Sequence, residues 1–379
     1  MSNNINILQI CSYYIGSKLY MELFSKLDEM SMEQTVFVPI SDDKFKGANI
    51  NYNMRNAKYI YSKDFTNLDR LIYYTKVDKI YKDCINKINL EEMKVIHAHS
   101  LFINGGVALR LKKEKGTDYI VEIQNTDINK FFKYMKHLKK IGIEILKYAS
   151  KLVFYSPSYR DYIINRVAPI NLKRELLDKS VVIPSGINDF WLNNIYKEKP
   201  KPKDNEINLI YVGSIDKNKN IDTTIEACKM LIEEGYKISY TVIGRIEDEK
   251  YRAIIDNNTF IQYVPHSPKE ELITYIRNAD IFIMPSKHET FGLVYAEAMS
   301  QGVPIIYTKG QGFDGQFEYG EVGYSVKYDS SEEIVNRTKD ILNNYENISI
   351  NCTSKVNKFS WDNIANEYII IYKQLAKKM

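Results

Sequence analysis

The sequence predicts an α/β fold made of two parallel-sheet domains. Three observations carry that prediction. Short apolar runs alternate with longer helical patterns, the rhythm of strand–helix–strand units. The rhythm stops at one polar, proline-bearing stretch, Lys197-Glu198-Lys199-Pro200-Lys201-Pro202-Lys203-Asp204, and then restarts. The length of 379 residues suits two domains of roughly 150 residues each plus connections.

In order along the first half, Ile5–Ile10, Thr35–Val38, Val95–His97, Tyr119–Ile123, Leu152–Tyr155 and Val181–Ile183 read as strands, with helical patterns between most of them. Residues 197–204 are the expected linker, because prolines and charges favour extended, solvated chain. Beyond it, Ile207–Val212, Ser239–Ile243, Phe260–Tyr263, Ile281–Met284 and Val303–Tyr307 read as a second set of strands. The last segment repeats Trp361, Ile364, Tyr368, Ile371 or Tyr372, and Leu375 at steps of three and four, the mark of a helix with one apolar face. No repeat of fixed period runs through the chain.

Composition narrows the class. Hydrophobic content of 44% and charged content of 26% are those of an ordinary globular protein rather than a disordered or membrane-embedded one. No apolar run approaches the ~20 residues that span a bilayer. The start, Met1-Ser2-Asn3-Asn4-Ile5-Asn6, lacks the basic region and apolar core of a signal peptide. Cys11, Cys84, Cys228 and Cys352 are scattered, with neither metal-ligand spacing nor a disulfide framework, which suits a reducing cytoplasm. Charge is uneven. Residues 1–200 hold 31 Lys/Arg against 22 Asp/Glu, a net of +9, and residues 201–379 hold 21 against 26, a net of −5. A basic first half suits an anionic membrane surface or a phosphate-bearing acceptor; neutral drift in a lysine-rich composition is the plainer explanation.

The most informative stretch is Ser286 to Pro304. It follows the apolar run Ile281-Phe282-Ile283-Met284 and places Glu289 and Glu297 eight apart around Phe291-Gly292. The pattern reads strand, loop, helix, turn, strand, with Glu289 just past the strand's carboxyl end. Thr290 is the expected helix cap, which would set Glu297 about two turns in. Open α/β sheets bind ligands at this edge, and free amides at a helix start favour anions.

This stretch, with Glu297-Ala298-Met299 and Gly302-x-Pro304 in frame, resembles the E-x7-E signature of family 4 retaining glycosyltransferases, which have the GT-B fold of two Rossmann-like domains facing across a cleft. The resemblance implies domains at residues 1–195 and 205–358, the second binding the donor, with residues 360–379 packing back on the first. It implies that Glu289 contacts the donor sugar. The amides from Thr290 through Phe291 and Gly292 to Leu293 would hold the donor phosphates, and Glu297 the ribose. Tyr211 to Asp222 resembles the family's Gly-Arg-x5-Lys loop, in which the basic pair clamps the diphosphate. Lys219 falls on the lysine, but Ser214 replaces the arginine, and Arg245 at the next strand end is the candidate substitute. A lysine and helix-end amides can stabilise a diphosphate leaving group without metal.

The first half resembles the family more loosely. Cys11 to Lys18 stands where the family has a glycine-rich loop; Gly16 would allow close backbone approach, and Lys18 could reach a phosphate. Gln124-Asn125-Thr126-Asp127 stands where the family often has His-Gly-x-Asp. Gln124 replaces the histidine, so no acid–base work is expected there, while Asn125 and Asp127 are candidate partners for sugar hydroxyls. His99, in His97-Ala98-His99-Ser100, is a further candidate sugar contact. The two histidines have no third ligand nearby in sequence, so no metal is expected.

Two other patterns bear on partners. Gly310-Gln311-Gly312-Phe313-Asp314-Gly315 matches GxGxxG, but its continuation is poor helix material, which argues against a dinucleotide site and for a flexible loop beside the donor. Residues 130–151 combine an apolar stripe (Phe131, Phe132, Met135, Leu138, Ile141, Ile145, Leu146) with surrounding lysines, as a membrane-surface helix would; an ordinary core-facing helix gives the same pattern.

The resemblance thus implies a retaining, metal-independent transferase without a cofactor. It would use a nucleotide-diphosphate sugar, with UDP as the default, and a saccharide acceptor, lipid-linked by family association, in cell-surface polysaccharide synthesis. Its expected place is the cytoplasm, peripheral at the inner membrane face, and nucleic acid is not an expected partner. The competing readings are a non-catalytic binding platform, favoured by Ser214 and Gln124, and a nucleotide-sugar epimerase, for which no acid–base set is found.

Overall fold

The computed structural model describes residues 5–63, 65–66, 69 and 72–377. Residues 1–4, part of the stretch expected to lack a signal peptide, lie outside them. The chain forms two compact units, Met1–Gly186 with Trp361–Met379, and Ile187–Ser360.

The first unit holds strands β1 (Asn6–Ile10), β2 (Glu33–Ile40), β3 (Ala57–Lys63), β4 (Val95–Ala98), β5 (Tyr119–Ile123), β6 (Lys151–Phe154) and β7 (Ser180–Val182). They pair in parallel in the order β3-β2-β1-β4-β5-β6-β7. Its helices are α1 (Lys18–Glu29), α2 (Tyr73–Lys87), α3 (Ile103–Lys115), α4 (Lys139–Tyr148), α5 (Pro157–Tyr162) and α6 (Lys173–Asp178). The second unit holds α7 (Asp189–Asn193), α8 (Ile221–Glu233), α9 (Lys250–Asp256), α10 (Lys269–Asn278), α11 (Leu293–Ser300), α12 (Ser331–Asn343) and α13 (Tyr345–Lys355). Its strands are β8 (Glu206–Val212), β9 (Lys237–Ile243), β10 (Ile261–Val264), β11 (Ile281–Met284), β12 (Ile305–Thr308) and β13 (Gly323–Val326), parallel in the order β10-β9-β8-β11-β12-β13. The final helix, α14 (Trp361–Ala376), returns to the first unit.

The central strands are buried on both faces, which is why they read as unbroken apolar runs. Two edge strands escaped that reading. In β3 most positions are only half buried, so lysine, tyrosine and serine interrupt the apolar signal. Strand β13 is Gly-Tyr-Ser-Val, and its glycine is needed where the backbones approach: a Cβ on Gly323 would lie 1.9 Å from the Ile305 carbonyl oxygen.

Residues 197–204, expected as a linker, lie inside the second unit. Just before them the Tyr196 amide donates to the Ser300 carbonyl at 3.0 Å, and the Lys199 ammonium donates to the Arg277 carbonyl. The chain crosses between units at Gly186 and Ser360 instead. No helix among the described residues is long and apolar enough to cross a membrane.

Helix α14 buries the expected face, including Trp361, Ile364, Tyr368, Ile371, Tyr372 and Leu375, against Leu23, Phe24 and Leu27 of α1. Trp361 donates its indole N–H to Glu22 at 2.7 Å. A Cβ on Gly186 would sit 2.3 Å from the Trp361 ring, so only glycine fits where the chain leaves this unit.

In each sheet the chain starts centrally, runs outward on one side, then crosses to the other. The carboxyl edge therefore opens a crevice at the reversal, between β1 and β4 in one sheet and between β8 and β11 in the other.

Candidate functional site

At the reversal in the second unit, the loops after β8 and β11 meet. Lys219 Nζ lies 2.6 Å from Glu289 Oε2, with side chains about one-fifth and one-eighth exposed. The first loop is held by its own residues. Asp216 Oδ1 accepts the amides of Asn218 (2.7 Å) and Lys219 (3.0 Å), while Ser214 donates to Asp216 Oδ2 at 2.9 Å. Asn220 then takes the left-handed conformation at φ 60°, which asparagine tolerates, and α8 begins. Ser214 thus ties the loop together where the family's arginine would stand. Arg245 is close only through its main chain, whose carbonyl accepts the Ile215 amide at 2.8 Å; its side chain is 78% exposed and paired with Glu247 at 2.6 Å.

The second loop departs from expectation at the helix start. Thr290 does not cap α11. The capping position is Gly292 at φ 80°, and it supplies no side-chain acceptor. Thr290 instead donates its amide to the carboxylate of Glu289 at 3.1 Å. Glu297 consequently lies about one turn into the helix rather than two. Glycine is required at 292 because a Cβ there would be 2.4 Å from the Tyr295 ring. Phe291 is 3% exposed and packs against Phe313 and Phe359, so its ring anchors the loop. Helix α11 starts without a side-chain cap, and its first amides make an anion-favouring edge.

Two residues of this site went unassigned in the sequence. Asn218, beside Lys219, binds the main chain of residues 287–288, and Gln311 accepts the Glu289 amide at 3.1 Å. Both sat inside motifs already singled out, but an amide side chain that grips a distant backbone leaves no local signal. The GxGxxG segment is followed by turns and β13 rather than a helix, which removes the dinucleotide reading.

In the first unit, Gly16 and Lys18 are exposed, beside the Ser17 that caps α1. A Cβ on Gly16 would meet nothing within 4 Å, so the chain itself does not require glycine there. Asn125 is half buried and accepts from Asn129 at 2.7 Å. Asp127 is committed to the fold: its carboxylate accepts the amides of Leu101, Phe102 and Gln124 at 3.0, 3.2 and 2.9 Å. Burial pushes it up to about 6 in spite of those donors.

His99 is wholly buried, which takes it out of reach of a sugar. Glu122, 23 residues on, supplies the third group that sequence spacing did not reveal: its Oε1 lies 3.1 Å from His99 Nδ1 and 3.3 Å from His97 Nε2. These three could ligate a cation, since their donor atoms fall within 4.8 Å of one another. The surrounding hydrogen bonds explain the cluster differently. The Phe24 carbonyl can only accept, so Gln34 donates to it at 3.0 Å. Gln34 must then accept from Gln9 at 3.2 Å, and Gln9 in turn accepts from His99 Nε2 at 2.8 Å. With Nε2 protonated, Nδ1 lies 3.1 Å from Glu122 Oε1, and the two form a buried ion pair when the ring carries both protons. Tyr368 and Tyr155 each donate to Glu122 at 2.8 Å. Burial alone would raise the Glu122 carboxyl, but the charge of His99 and the bonds from both imidazoles outweigh it and hold it well below the usual range.

His97 behaves oppositely: burial, then the charge of His99, pulls its imidazole down to about 4. An unfolded histidine protonates near pH 6.5, so between those values the unfolded chain binds the extra proton and stability falls as pH drops. The loss is about 3 kcal/mol between pH 7 and pH 4. Asp127, raised to about 6, opposes this over part of the window, so the comparison must be with a variant. Urea unfolding of His97→Gln should show an acid limb shallower than wild type by about 3 kcal/mol; parallel limbs would mean that His97 does not stay neutral in the fold.

Residues 130–151 are not one amphipathic helix. A π-helical turn at Asp127–Phe132 and a 3-10 turn at Lys136–Leu138 precede α4. Phe132, Leu138, Ile145 and Leu146 are buried in the core of the unit, with Phe131, Met135 and Ile141 packed against it. The apolar stripe is therefore used by the fold, which corrects the membrane-helix expectation. Lys130, Lys133, Lys136, Lys139, Lys140 and Lys147 remain exposed.

Residues 193–354 match the family model described as glycosyl transferases group 1. An uncharacterized glycosyltransferase of Methanocaldococcus jannaschii is 22% identical over 370 residues, covering 96% of both chains. Sucrose-phosphate synthase of Thermosynechococcus elongatus has a similar structure, with a TM-score of 0.75 at 19% identity over 99% of this chain and 100% of that one. HepE of Anabaena in complex with UDP-glucose has a TM-score of 0.65 at 13% identity over 98% and 100%. The fold is that of GT-B glycosyltransferases, and the sequence matches support a glycosyltransferase.

Proposed function

We propose that this GT-B protein is a retaining, metal-independent glycosyltransferase that moves a hexose or N-acetylhexosamine from a nucleotide-diphosphate sugar, by default UDP-linked, to a saccharide acceptor. The observation that carries the proposal is the Lys219–Glu289 pair, 2.6 Å apart where the sheet order reverses and beside the uncapped start of α11. A leaving diphosphate gathers negative charge, and a fixed ammonium with aimed amides stabilises that charge without reorganising. Glu289 addresses the sugar, the amides to Leu293 the phosphates, and Glu297 the ribose. The acceptor hydroxyl attacks on the face from which the phosphate departs, and that phosphate takes the proton. The protein's part is positioning and charge stabilisation.

A lipid-linked acceptor of cell-surface polysaccharide assembly, met at the cytoplasmic face of the membrane, fits the basic first half and the exposed lysines of residues 130–147. With the apolar stripe buried, any such attachment is electrostatic and should vanish at high salt.

Calorimetric titration of UDP and GDP, with and without EDTA, tests the donor assignment. One nucleotide should bind saturably, unaffected by EDTA, and Glu297→Gln should weaken it by roughly tenfold, the value of one hydrogen bond to a charged group. Loss of binding in EDTA would overturn metal independence. No binding of either nucleotide would favour a non-catalytic platform.

A further inference from the structure

The loop that presents Glu289 is gripped from both sides by residues that lie outside it. From the loop after β8, the Asn218 carbonyl accepts the Lys287 amide at 2.8 Å. The Asn218 side chain accepts the His288 amide at 3.1 Å and donates to the His288 carbonyl at 2.9 Å. From the loop after β12, Gln311 Oε1 accepts the Glu289 amide at 3.1 Å, and the Gly312 amide donates to the Glu289 carbonyl at 3.1 Å. A Cβ on Gly312 would lie 1.8 Å from the Thr290 carbonyl oxygen, so the two loops touch at backbone distance. Main-chain polar groups of three consecutive residues, Lys287 to Glu289, are thus held from elsewhere in the unit, and the Glu289 carboxylate is aimed by this frame.

We propose that Asn218 and Gln311 are positioning residues that set the Glu289 carboxylate against the donor sugar. The inference rests on the transferase reading above. Neither residue need touch the sugar. Each acts by fixing the backbone from which Glu289 projects, and a displacement of about 1 Å at a reacting centre can cost ~100-fold in rate. Asn218 is well placed for this because its neighbour is Lys219, so one short loop sets both members of the charged pair.

The test uses the full chain and whichever UDP- or GDP-sugar of a panel the wild type turns over. Asn218→Ala and Gln311→Ala should each lower kcat by 10- to 100-fold, while the Kd for the free nucleoside diphosphate stays within about threefold. The deciding measurement is a double-mutant cycle with Glu289→Gln. If Asn218 and Gln311 act through Glu289, neither alanine should lower kcat further in that background. Thermal melting of every variant controls for unfolding, and a kcat loss matched by loss of the folded fraction overturns the proposal. Independent, multiplicative losses in the Glu289→Gln background overturn it as well. A wild type that turns over no sugar nucleotide overturns the transferase reading itself, whereas multiplicative losses in an active enzyme overturn only the positioning role.

Discussion

Glu122→Ala should destabilise the protein by about 3–5 kcal/mol, the usual consequence of stripping one partner from a buried ion pair. The side chain is 1% exposed, accepts from Tyr155 and Tyr368, and lies 3.1 Å from His99 Nδ1. Removing it leaves the buried His99 imidazole without its carboxylate neighbour and takes one acceptor from each of two phenols. Few domains have more than 5–15 kcal/mol to lose. The effect should extend to α14, because Tyr368 and Tyr372 of that helix bind Glu122 and His97. Glu122→Gln keeps the shape and an acceptor but not the charge, and should fall between the two. Denaturant unfolding at pH 7 measures all three. A cost below about 1 kcal/mol for the alanine variant would mean that His99 is neutral and that the chain of amides does not set its protons as inferred.

The second large effect concerns the rate rather than the fold. Lys219→Ala should lower turnover by ~10²–10³, the typical value of one stabilising contact to a developing charge. Two features make the upper end the better expectation. Ser214 occupies the place of the family's arginine and spends its hydroxyl on Asp216, so it adds no positive charge. Arg245 is held at the surface by Glu247. Lys219 is the side-chain cation that pairs with Glu289, at 2.6 Å. Lys219→Arg should recover part of the rate, since the charge survives and only its geometry changes. Steady-state kinetics on the preferred sugar nucleotide decides it, and wild-type turnover in Lys219→Ala would mean that the diphosphate sits elsewhere.

Much of this site was legible in one dimension. Lys219, Glu289, Gly292 and Glu297 fall in motifs whose spacing follows from local geometry: a strand end, a tight turn that only glycine fits, and the first turns of a helix. The first unit was read less well. His99 and Asp127 looked like ligands for a sugar, and the fold spends both internally, one in an ion pair and the other on three backbone amides. Residue type and chain position alone do not separate those uses, because burial depends on what other segments lie on top.

The amino-acid pattern by itself determined the α/β class, the two successive sets of parallel strands, the apolar face of the last helix and the position of the E-x7-E stretch. Each of these is written in contacts between residues near in sequence, or in the unbroken apolar runs that double-sided burial demands. Only the tertiary structure decided the edge strands β3 and β13, the joining of Glu122 to two histidines, the burial of the stripe in residues 130–151, and the grip of Asn218 and Gln311 on the Glu289 loop. The ion-pair and loop contacts among them join groups 22 to 70 residues apart. A hydrogen bond or ion pair of that kind is set by where the sheet places its strand ends, and no periodicity within either segment records it.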